Sequence, residues 1–259
     1  MIKVKKAFIL KKSELGKKFR VENNNLDITA LLSGSELEAH RLGDLAEAHR
    51  EERNKKETAD SEFRFVQIGD IDVQLGRIKS FRTFKGSDAP NNARRKMKFG
   101  DVLISTRRPT RGAVVAVPKE FDDHICTVFF TCLRVKDWDV LDPWYLSLFL
   151  RTSLGRFQFQ SMVTETAYPV ISDDDVENMT ILVPKIELQR ELAKNYGESV
   201  VGFFDGMNRA YRDVTSARQK IETAVLGAEA EVLNPPVFGL AVEEEVDAAE
   251  EAESPDVSN

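Results

Sequence analysis

The feature that most constrains this chain is a long helical pattern in its C-terminal half. No proline occurs in residues 185–234, and apolar side chains recur there at steps of three and four residues, which is the spacing of a coiled-coil seam. A helix of about 40 residues is about 60 Å long, too long to bury its apolar stripe against a small domain. The pattern therefore predicts a spacer helix over residues 185–230 that pairs with another helix, from this chain or from a second one.

The predicted helix-pairing positions follow one face of that helix. They are Ala193, Tyr196, Val200, Phe203, Met207, Ala210, Val214, Ala217 and Ile221. Gly197, Gly202 and Gly206 lie in the same stretch, and each weakens a helix by about 1 kcal/mol relative to alanine. These glycines favour a second backbone that passes close by. The alternative is a helix that packs back on its own domain.

Charge is distributed unevenly along the chain. The formal net charge is −6, but residues 239–259 hold eight acids and no base, so the rest of the chain carries +2. Residues 77–111 contain eleven bases, seven of them arginines, and two acids. Guanidinium groups bind phosphates and the guanine edge better than ammonium groups do. This basic stretch predicts a polyanionic partner such as nucleic acid, and a solvated basic face is the alternative.

Short apolar runs between turn residues predict several strands. Such runs occupy residues 63–68, 102–105 and 114–117, and residues 125–135 form one long strand or a pair. Asp142-Pro143 predicts a helix start, with Asp as the N-cap and Pro at the first helical position. The expected fold class is α+β: a β-rich domain followed by a long coiled-coil helix.

Known catalytic motifs are poorly matched. Asn234-Pro235-Pro236-Val237 resembles the NPP(Y/F) motif of amino-methyltransferases, but valine replaces the aromatic residue that stacks on the flipped base, and no glycine-rich loop precedes it. Asp122-Asp123 and the acids at 173–175 lack the Glu-x-Lys partner of nucleases, and the second group predicts a turn and a helix cap.

The remaining reactive side chains show no site spacing. His40, His49 and His124 lie far apart, which predicts surface or core roles rather than a metal site. Cys126 and Cys132 lie in an apolar stretch, which predicts buried, reduced thiols. We therefore predict no catalytic residue, no bound metal and no cofactor for this chain.

Six short motifs, read in order, resemble one recognition unit of the type I restriction–modification specificity subunits. They are Arg41-Leu42-Gly43-Asp44-Leu45-Ala46, the run FVQIGDI at 65–71, the run FGDVLIS at 99–105 with Gly112 and the strand at 114–117 after it, Asp142-Pro143-Trp144-Tyr145-Leu146, Tyr168-Pro169-Val170-Ile171, and Ile181-Leu182-Val183-Pro184 with Gln189. Each motif is weak alone, but their order over residues 41–226 is specific.

The resemblance implies a domain organisation. Residues 41–184 would form a target-recognition domain that binds DNA, and residues 185–230 the dimerisation helix. Residues 1–40 precede the family's usual start and stay unassigned. Residues 231–259 are predicted to be a disordered acidic tail, whose charge suggests competition with DNA for the basic stretch.

The resemblance also implies function and partners. Specificity subunits have no enzymatic activity; they bind double-stranded DNA and hold methyltransferase subunits and, in some systems, restriction subunits. S-adenosylmethionine is then expected on the partner methyltransferase subunit. A full-length member carries two recognition domains and two long helices. This chain shows one of each, so it resembles a half subunit that pairs as a homodimer or with a second half subunit.

The predicted DNA contacts comprise the basic stretch and a second, polar loop. They are Arg77, Lys79, Arg82, Lys85, Arg94, Arg95, Lys96, Lys98, Arg107, Arg108 and Arg111, with Thr164, Glu165 and Thr166 on the second loop. Most of these bases are expected on phosphates. Arg107, Arg108 and Arg111 follow a predicted strand, a place suited to guanine, whereas Glu165 suits cytosine N4.

Two other functions fit the same features. One is a non-catalytic scaffold that binds RNA, DNA or membrane lipid without sequence preference, and the other is a specificity factor for a different defence methyltransferase. The apolar run after the basic N-terminus, residues 7–10, is too short for a signal sequence or a membrane span. We therefore expect a cytoplasmic protein without membrane contact.

Overall fold

The computed structural model describes residues 37–54, 59–163, 169–226 and 238–243. The strands are β1 Glu38–Arg41, β2 Ala46–His49, β3 Glu62–Val66, β4 Ile71–Asp72, β5 Arg77–Ile78, β6 Ser80–Lys85, β7 Ala93–Lys96, β8 Val102–Ser105, β9 Val114–Ala116, β10 Ile125–Thr127, β11 Phe130–Val135, β12 Thr180–Val183 and β13 Val242–Glu243. The α-helices are α1 Leu42–Leu45, α2 Pro143–Arg151, α3 Ser153–Met162, α4 Asp173–Glu177 and α5 Ile186–Leu226.

A four-stranded antiparallel sheet, in the order β2-β11-β8-β9, forms the centre of the domain. Both of its faces are buried, because successive side chains of a strand point to opposite faces. In β8, Val102 and Ile104 pack in the same cluster as Leu146 of helix α2. Leu103, between them, packs in a second cluster with Val66 of β3. The apolar run of β8 is therefore explained by a helical layer on one side and a second sheet on the other.

The second sheet has five strands among the described residues, in the order β13-β6-β3-β10-β7. It is mixed, because β10 runs parallel to β3 and β13 runs parallel to β6, while the other pairs are antiparallel. The predicted apolar segment 125–135 is a pair of strands that splits between the sheets: β10 belongs to the five-stranded sheet and β11 to the four-stranded one. The α+β class is confirmed.

Gly100 and Asp101 form a buried turn immediately before β8. Gly100 has a φ of +83°, and a side chain there would collide with the Trp138 ring, so this position requires glycine. Asp101 is buried and accepts hydrogen bonds from the Lys98 amide (2.8 Å) and from Arg134 Nε (2.8 Å), and it lies 2.8 Å from His49 Nε2. Burial opposes the charged form, but these hydrogen bonds outweigh it and hold the pKa of Asp101 below its usual value.

Two predicted helix starts are confirmed. Asp142 caps α2, since its side chain accepts from the Tyr145 amide at 2.9 Å, and Pro143 is the first helical residue. Helix α4 begins with the acids at 173–175 and is capped by Ser172, whose side chain accepts from the Asp175 amide. Acids in a first turn also interact favourably with the helix dipole.

A buried glutamine in the first turn of helix α5 fastens the helix to the domain. Gln189 is fully buried; its Oε1 accepts from the Asp142 amide (2.9 Å), and its Nε2 donates to the carbonyl oxygens of Val140 (2.9 Å) and Pro184 (2.7 Å). Every hydrogen bond joins the helix to the start of α2 or to its own entry turn. The base of α5 is therefore held at a defined position on the domain.

Replacing Gln189 with leucine is expected to destabilise the protein by about 3 kcal/mol. The change deletes three hydrogen bonds and leaves an amide and two carbonyls without this partner. Denaturant unfolding at fixed protein concentration, followed by tryptophan fluorescence, measures the loss. Gln160→Leu, the same chemical change at an exposed position of α3, is the control and should be nearly neutral. Equal midpoints for the two variants would contradict this role of Gln189.

The domain boundaries differ from the predicted ones at both ends. Strand β1, which includes residues 38–40, pairs with β12, so the domain begins before residue 41. At the other end, residues 238–243 were expected in a disordered tail, but Val242–Glu243 is strand β13 on the edge of the five-stranded sheet. Backbone pairing with β6 and hydrogen bonds between Phe238 and Asn208 of α5 give this short segment partners that its own composition does not reveal. The predictions for residues 1–36, 227–237 and 244–259 lie outside the described residues.

Candidate nucleic-acid interface

The loop that follows β8, residues 106–112, carries three of the predicted arginines and is here called the arginine loop. Its path is tightly defined: Arg108 has a left-handed φ of 48°, a 3-10 turn spans Pro109–Arg111, and Gly112 has a φ of +80°. The Ser105 hydroxyl donates to the Arg107 carbonyl at 2.6 Å. These constraints make the loop a rigid extension of the sheet edge.

Backbone hydrogen bonds join the arginine loop to two other segments. The Thr106 amide and hydroxyl both donate to the Phe129 carbonyl (2.9 and 2.8 Å), which lies in the turn between β10 and β11. On the other side, the Arg108 amide donates to the Pro169 carbonyl (2.9 Å), and the Ile171 amide donates to the Thr106 carbonyl (3.0 Å). The arginine loop therefore lies beside residues 169–171. Thr164, Glu165 and Thr166 themselves lie outside the described residues.

Arg107 is oriented by an aromatic ring. Its guanidinium carbon lies 3.5 Å from the centre of the Phe129 ring, a cation–π contact that holds a charged group while its hydrogen-bond donors stay available. Arg107 and Arg111 are both exposed. Phe129 is not part of the basic stretch, and its role becomes visible only when the β10–β11 turn meets the loop.

One further base joins this surface from helix α3. Arg156 is exposed and lies against Gly112, where a Cβ atom would come within 3.2 Å of Arg156 Nη2. It was not predicted, because it lies 45 positions beyond the end of the basic stretch and no local sequence signal connects the two. Arg107, Arg108, Arg111 and Arg156 are here called the arginine cluster.

Six predicted bases lie on or near the five-stranded sheet. On β6, Lys85 is exposed and Arg82 is half-buried, and Lys79 is exposed just before that strand. Four of the six bases lie beside acids. The pairs are Lys85 with Asp60 (3.1 Å), Arg94 with Glu52 (3.8 Å), Lys96 with Glu51 (3.2 Å), and Lys98 with Asp123. The neighbouring acids therefore partly neutralise this part of the basic stretch.

Two predicted DNA contacts are engaged inside the protein. Arg95 is only 7% exposed, and its Nη1 donates to the Phe130 carbonyl at 3.0 Å. Arg77 donates to the Gly239 carbonyl and lies over the Phe204 ring of helix α5. We therefore leave both residues out of the proposed DNA-contacting set. On β7 the alternation of side chains turns Arg95 inward while Arg94 and Lys96 point outward.

The predicted helix-pairing face divides into two parts. Near the base of α5, Ala193, Tyr196 and Val200 are partly covered, and the Tyr196 hydroxyl donates to the Leu75 carbonyl at 3.1 Å. Here the helix does pack on its own domain. Farther along, Met207 is half-buried and the other predicted positions are exposed: Phe203, Ala210, Val214, Ala217 and Ile221. No described residue lies within 4 Å of a Cβ built at Gly197, Gly202 or Gly206.

The histidines and cysteines are used structurally. His49 contacts Asp101, and His124 Nδ1 accepts from the Arg64 amide at 3.1 Å. Cys126 and Cys132 are buried free thiols, as predicted. Within the described ranges, no group of acids, histidines and cysteines has the arrangement of a metal site. No helix in that part of the chain is long and apolar enough to cross a membrane.

The structure is a β-rich domain whose loops are hydrogen-bonded to each other at one edge, continued by a 41-residue helix. Comparison with known proteins identifies the family. The profile of the type I restriction modification DNA specificity domain matches residues 34–195, from the first strand into the first turns of α5. The chain belongs to that family.

Individual relatives agree with this assignment. The type I restriction enzyme HindI specificity subunit of Haemophilus influenzae is 26% identical over 137 residues, which are 49% of this chain and 28% of that protein. The HsdS subunit of Thermoanaerobacter tengcongensis superposes with a TM-score of 0.56 at 28% identity, covering 73% of this chain and 47% of the other.

A chain from a structure of type I R-M complex assembly and conformational transition superposes with a TM-score of 0.57 at 29% identity, covering 80% of this chain and 53% of that one. The match therefore spans about half the length of these solved relatives.

Proposed function

We propose that the chain is a non-catalytic DNA-recognition subunit of a type I restriction–modification system. The observation that carries the proposal is the family match over residues 34–195, which covers both the arginine loop and the base of the spacer helix. The exposed cationic groups on that loop give the domain a surface suited to a polyanion.

The recognition domain is proposed to bind double-stranded DNA through the arginine cluster. Arg107, with its guanidinium held on Phe129, is suited to a guanine edge, because bidentate readout requires a fixed orientation. Lys79, Arg82, Lys85, Arg94, Lys96 and Lys98 are proposed to contact phosphates, which set affinity and register. Thr164, Glu165 and Thr166 are also proposed to read bases.

The spacer helix is proposed to pair antiparallel with that of a second copy. The exposed apolar face from Phe203 to Ile221 supports this pairing, because a stripe of this length is otherwise left in water. Two copies related by a two-fold axis would recognise an interrupted palindrome with a constant spacer. A different half subunit as the partner would give a bipartite, asymmetric target.

The chemistry is proposed to reside in partner subunits. Methyltransferase subunits, with S-adenosylmethionine bound to them, would dock on the paired helices, and restriction subunits would join where the system has them. We propose that the complex acts in the cytoplasm, where it would modify host DNA and act against phage DNA.

Adenine methylation of the whole genome, compared with and without this gene in its host, tests the proposal. We expect one interrupted motif to lose its methylation when the gene is deleted and to regain it on complementation. The symmetry of that motif distinguishes a homodimer from a heterodimer. An unchanged methylome, in cells where the gene is shown to be expressed, would contradict a role in methylation specificity and favour a nonspecific scaffold.

Deleting residues 244–259 is expected to tighten nonspecific DNA binding by about tenfold at low salt. The deletion removes seven acids that compete with DNA for the basic surface, and the gain should shrink as salt screens the charges. Binding of random-sequence duplex, followed by fluorescence anisotropy, measures it. A tail of equal length with its acids changed to Gln and Asn is the control and should reproduce the gain. Unchanged affinity would refute competition by the tail.

A further inference from the structure

The last described segment, residues 238–243, runs back along the spacer helix to the domain and is here called the C-terminal strap. Phe238 and Asn208 of α5 exchange two hydrogen bonds: Asn208 Nδ2 donates to the Phe238 carbonyl (3.1 Å), and the Phe238 amide donates to Asn208 Oδ1 (2.8 Å). The Phe238 ring also packs edge-on against Tyr211, with centroids 5.7 Å apart. One end of the strap is thus fastened to the middle of the helix.

The other end of the strap is part of the recognition domain. Val242–Glu243 forms β13, which extends the five-stranded sheet by pairing parallel to β6, and the Val242 amide donates to the Lys79 carbonyl at 2.9 Å. Backbone pairing of this kind fixes direction and register. The strap therefore connects the helix to the sheet by a route independent of the helix's own entry turn.

Arg77 joins the domain, the helix and the strap at one point. Its Nη1 donates to the Gly239 carbonyl (2.9 Å), its guanidinium carbon lies 4.3 Å from the centre of the Phe204 ring, and its Nε lies 3.7 Å from Asp72 Oδ2. Burial lowers the pKa of Arg77, although the Asp72 carboxylate opposes the shift. A partly desolvated guanidinium with three partners is typical of a structural junction.

Gly239 is required for this close approach. Its φ is +102°, and a Cβ atom there would lie 2.9 Å from Cγ of Phe204. Both the backbone conformation and the contact exclude a larger residue. The strap is therefore shaped to the helix at the level of Phe204.

Helix α5 is attached to the domain at two levels. Near its base, Gln189 and the Tyr196 hydroxyl bind the domain; farther along, Arg77 lies over Phe204 and the strap binds Asn208, which is 19 residues beyond Gln189 and about 28 Å away. A helix held at its base alone can pivot about that point, whereas a second fastening at this distance fixes its angle to the domain. Because the strap acts far from the base, it restrains the direction of the helix more tightly than a contact near the base could.

We propose that the C-terminal strap fixes the angle between the spacer helix and the recognition domain, and thereby sets the spacer length of the bipartite DNA target. Arg77 and Asn208 are positioning residues in this account, since they act on DNA only through the placement of the domain. The second part of the proposal rests on the proposed function, because it requires two recognition domains held apart by paired helices.

Two truncated chains that differ only in the strap test whether the strap fixes the angle between the helix and the domain. The chain ending at 243 retains the strap, and the chain ending at 237 lacks it. Spin labels on Glu120→Cys and Lys220→Cys, both exposed positions, report the distance from the domain to the helix. Dilution with unlabelled chain restricts the measurement to distances within one chain. The native cysteines are buried and so should not take up label. We expect one narrow distance for 1–243 and a broad distribution for 1–237. Equally narrow distributions would overturn the proposal, whatever the protein does with DNA.

A substitution tests the second part in the full-length chain. Asn208→Leu removes both hydrogen bonds to Phe238, while Arg209→Leu, at the adjacent exposed position, serves as the control. In complexes that contain the Asn208→Leu chain, we expect methylation of the same half-sites separated by spacers of several lengths. In complexes that contain the Arg209→Leu chain, we expect a single spacer length. The link to target spacing would be overturned if both variants kept the same single spacer length while the domain-to-helix distance distribution of the Asn208→Leu chain became broad. If methylation that depends on the wild-type chain shows no sequence preference, the proposed function is refuted instead.

Discussion

Replacing Val214 and Ile221 together with glutamate is expected to prevent the proposed pairing of two copies and to abolish methylation of the proposed target motif. Both side chains are exposed in the single chain, at 70% and 65%, and lie seven residues apart on the predicted pairing face. In a two-fold pair the change places four carboxylates in the apolar interface. Desolvating each charge costs several kcal/mol, so the dimer Kd should rise at least about a thousandfold.

Ser216→Glu with Thr223→Glu is the matched control for this variant. These exposed positions are also seven residues apart and lie roughly on the opposite side of the helix, so the added charge is equal. Light scattering after size-exclusion chromatography reports mass, and circular dichroism confirms that the helix persists. The control should stay dimeric. A dimeric Val214/Ile221 variant, or a monomeric wild type, would contradict pairing through this face.

Changing Arg107, Arg111 and Arg156 together to glutamine is expected to weaken DNA binding by two to four orders of magnitude. Each neutralised phosphate contact releases counterions, so the slope of log K against log salt should fall by about 2.7 for three contacts. A base contact would instead relax sequence preference at one position. Anisotropy titrations with the specific duplex and with a scrambled duplex, at several salt concentrations, separate these effects.

The control for the arginine cluster keeps the change in net charge and moves it elsewhere. Lys185, Arg209 and Lys220 are exposed on or beside helix α5, and changing them to glutamine also removes three positive charges. This variant should bind DNA almost as the wild type does. Equal losses in the two triple variants would mean that overall charge drives binding, and the arginine cluster would lose its special role.

The basic stretch shows how far a charge count can predict a binding surface. It includes Arg107 and Arg111, which are exposed, but it treats Arg77 and Arg95 as equivalent to them. Arg95 points inward because alternate residues of β7 face the core, and Arg77 is engaged by Phe204 and Gly239. Composition is one-dimensional, so it cannot distinguish a charge that faces water from one that satisfies a buried carbonyl.

The motifs behind the family resemblance have physical reasons that the structure supplies. In Gly100-Asp101, the glycine has a positive φ, and the aspartate carboxylate accepts hydrogen bonds from Arg134 and from the Lys98 amide. Gln189 fastens the spacer helix to the start of α2. Both motifs could be recognised in the sequence, but their partners lie tens of residues away, so their roles could not be read from it.

The sequence by itself determined the features that depend on residues close together in the chain. The length and apolar face of helix α5, the capped start of α2 and the apolar runs of the strands all follow from local spacing and propensity. The tertiary structure alone decided that Arg156 joins Arg107 and Arg111, and that residues 238–243 form a strap from helix to sheet. Those contacts join segments up to about 160 residues apart, and their energy depends on packing and desolvation, which no local pattern encodes.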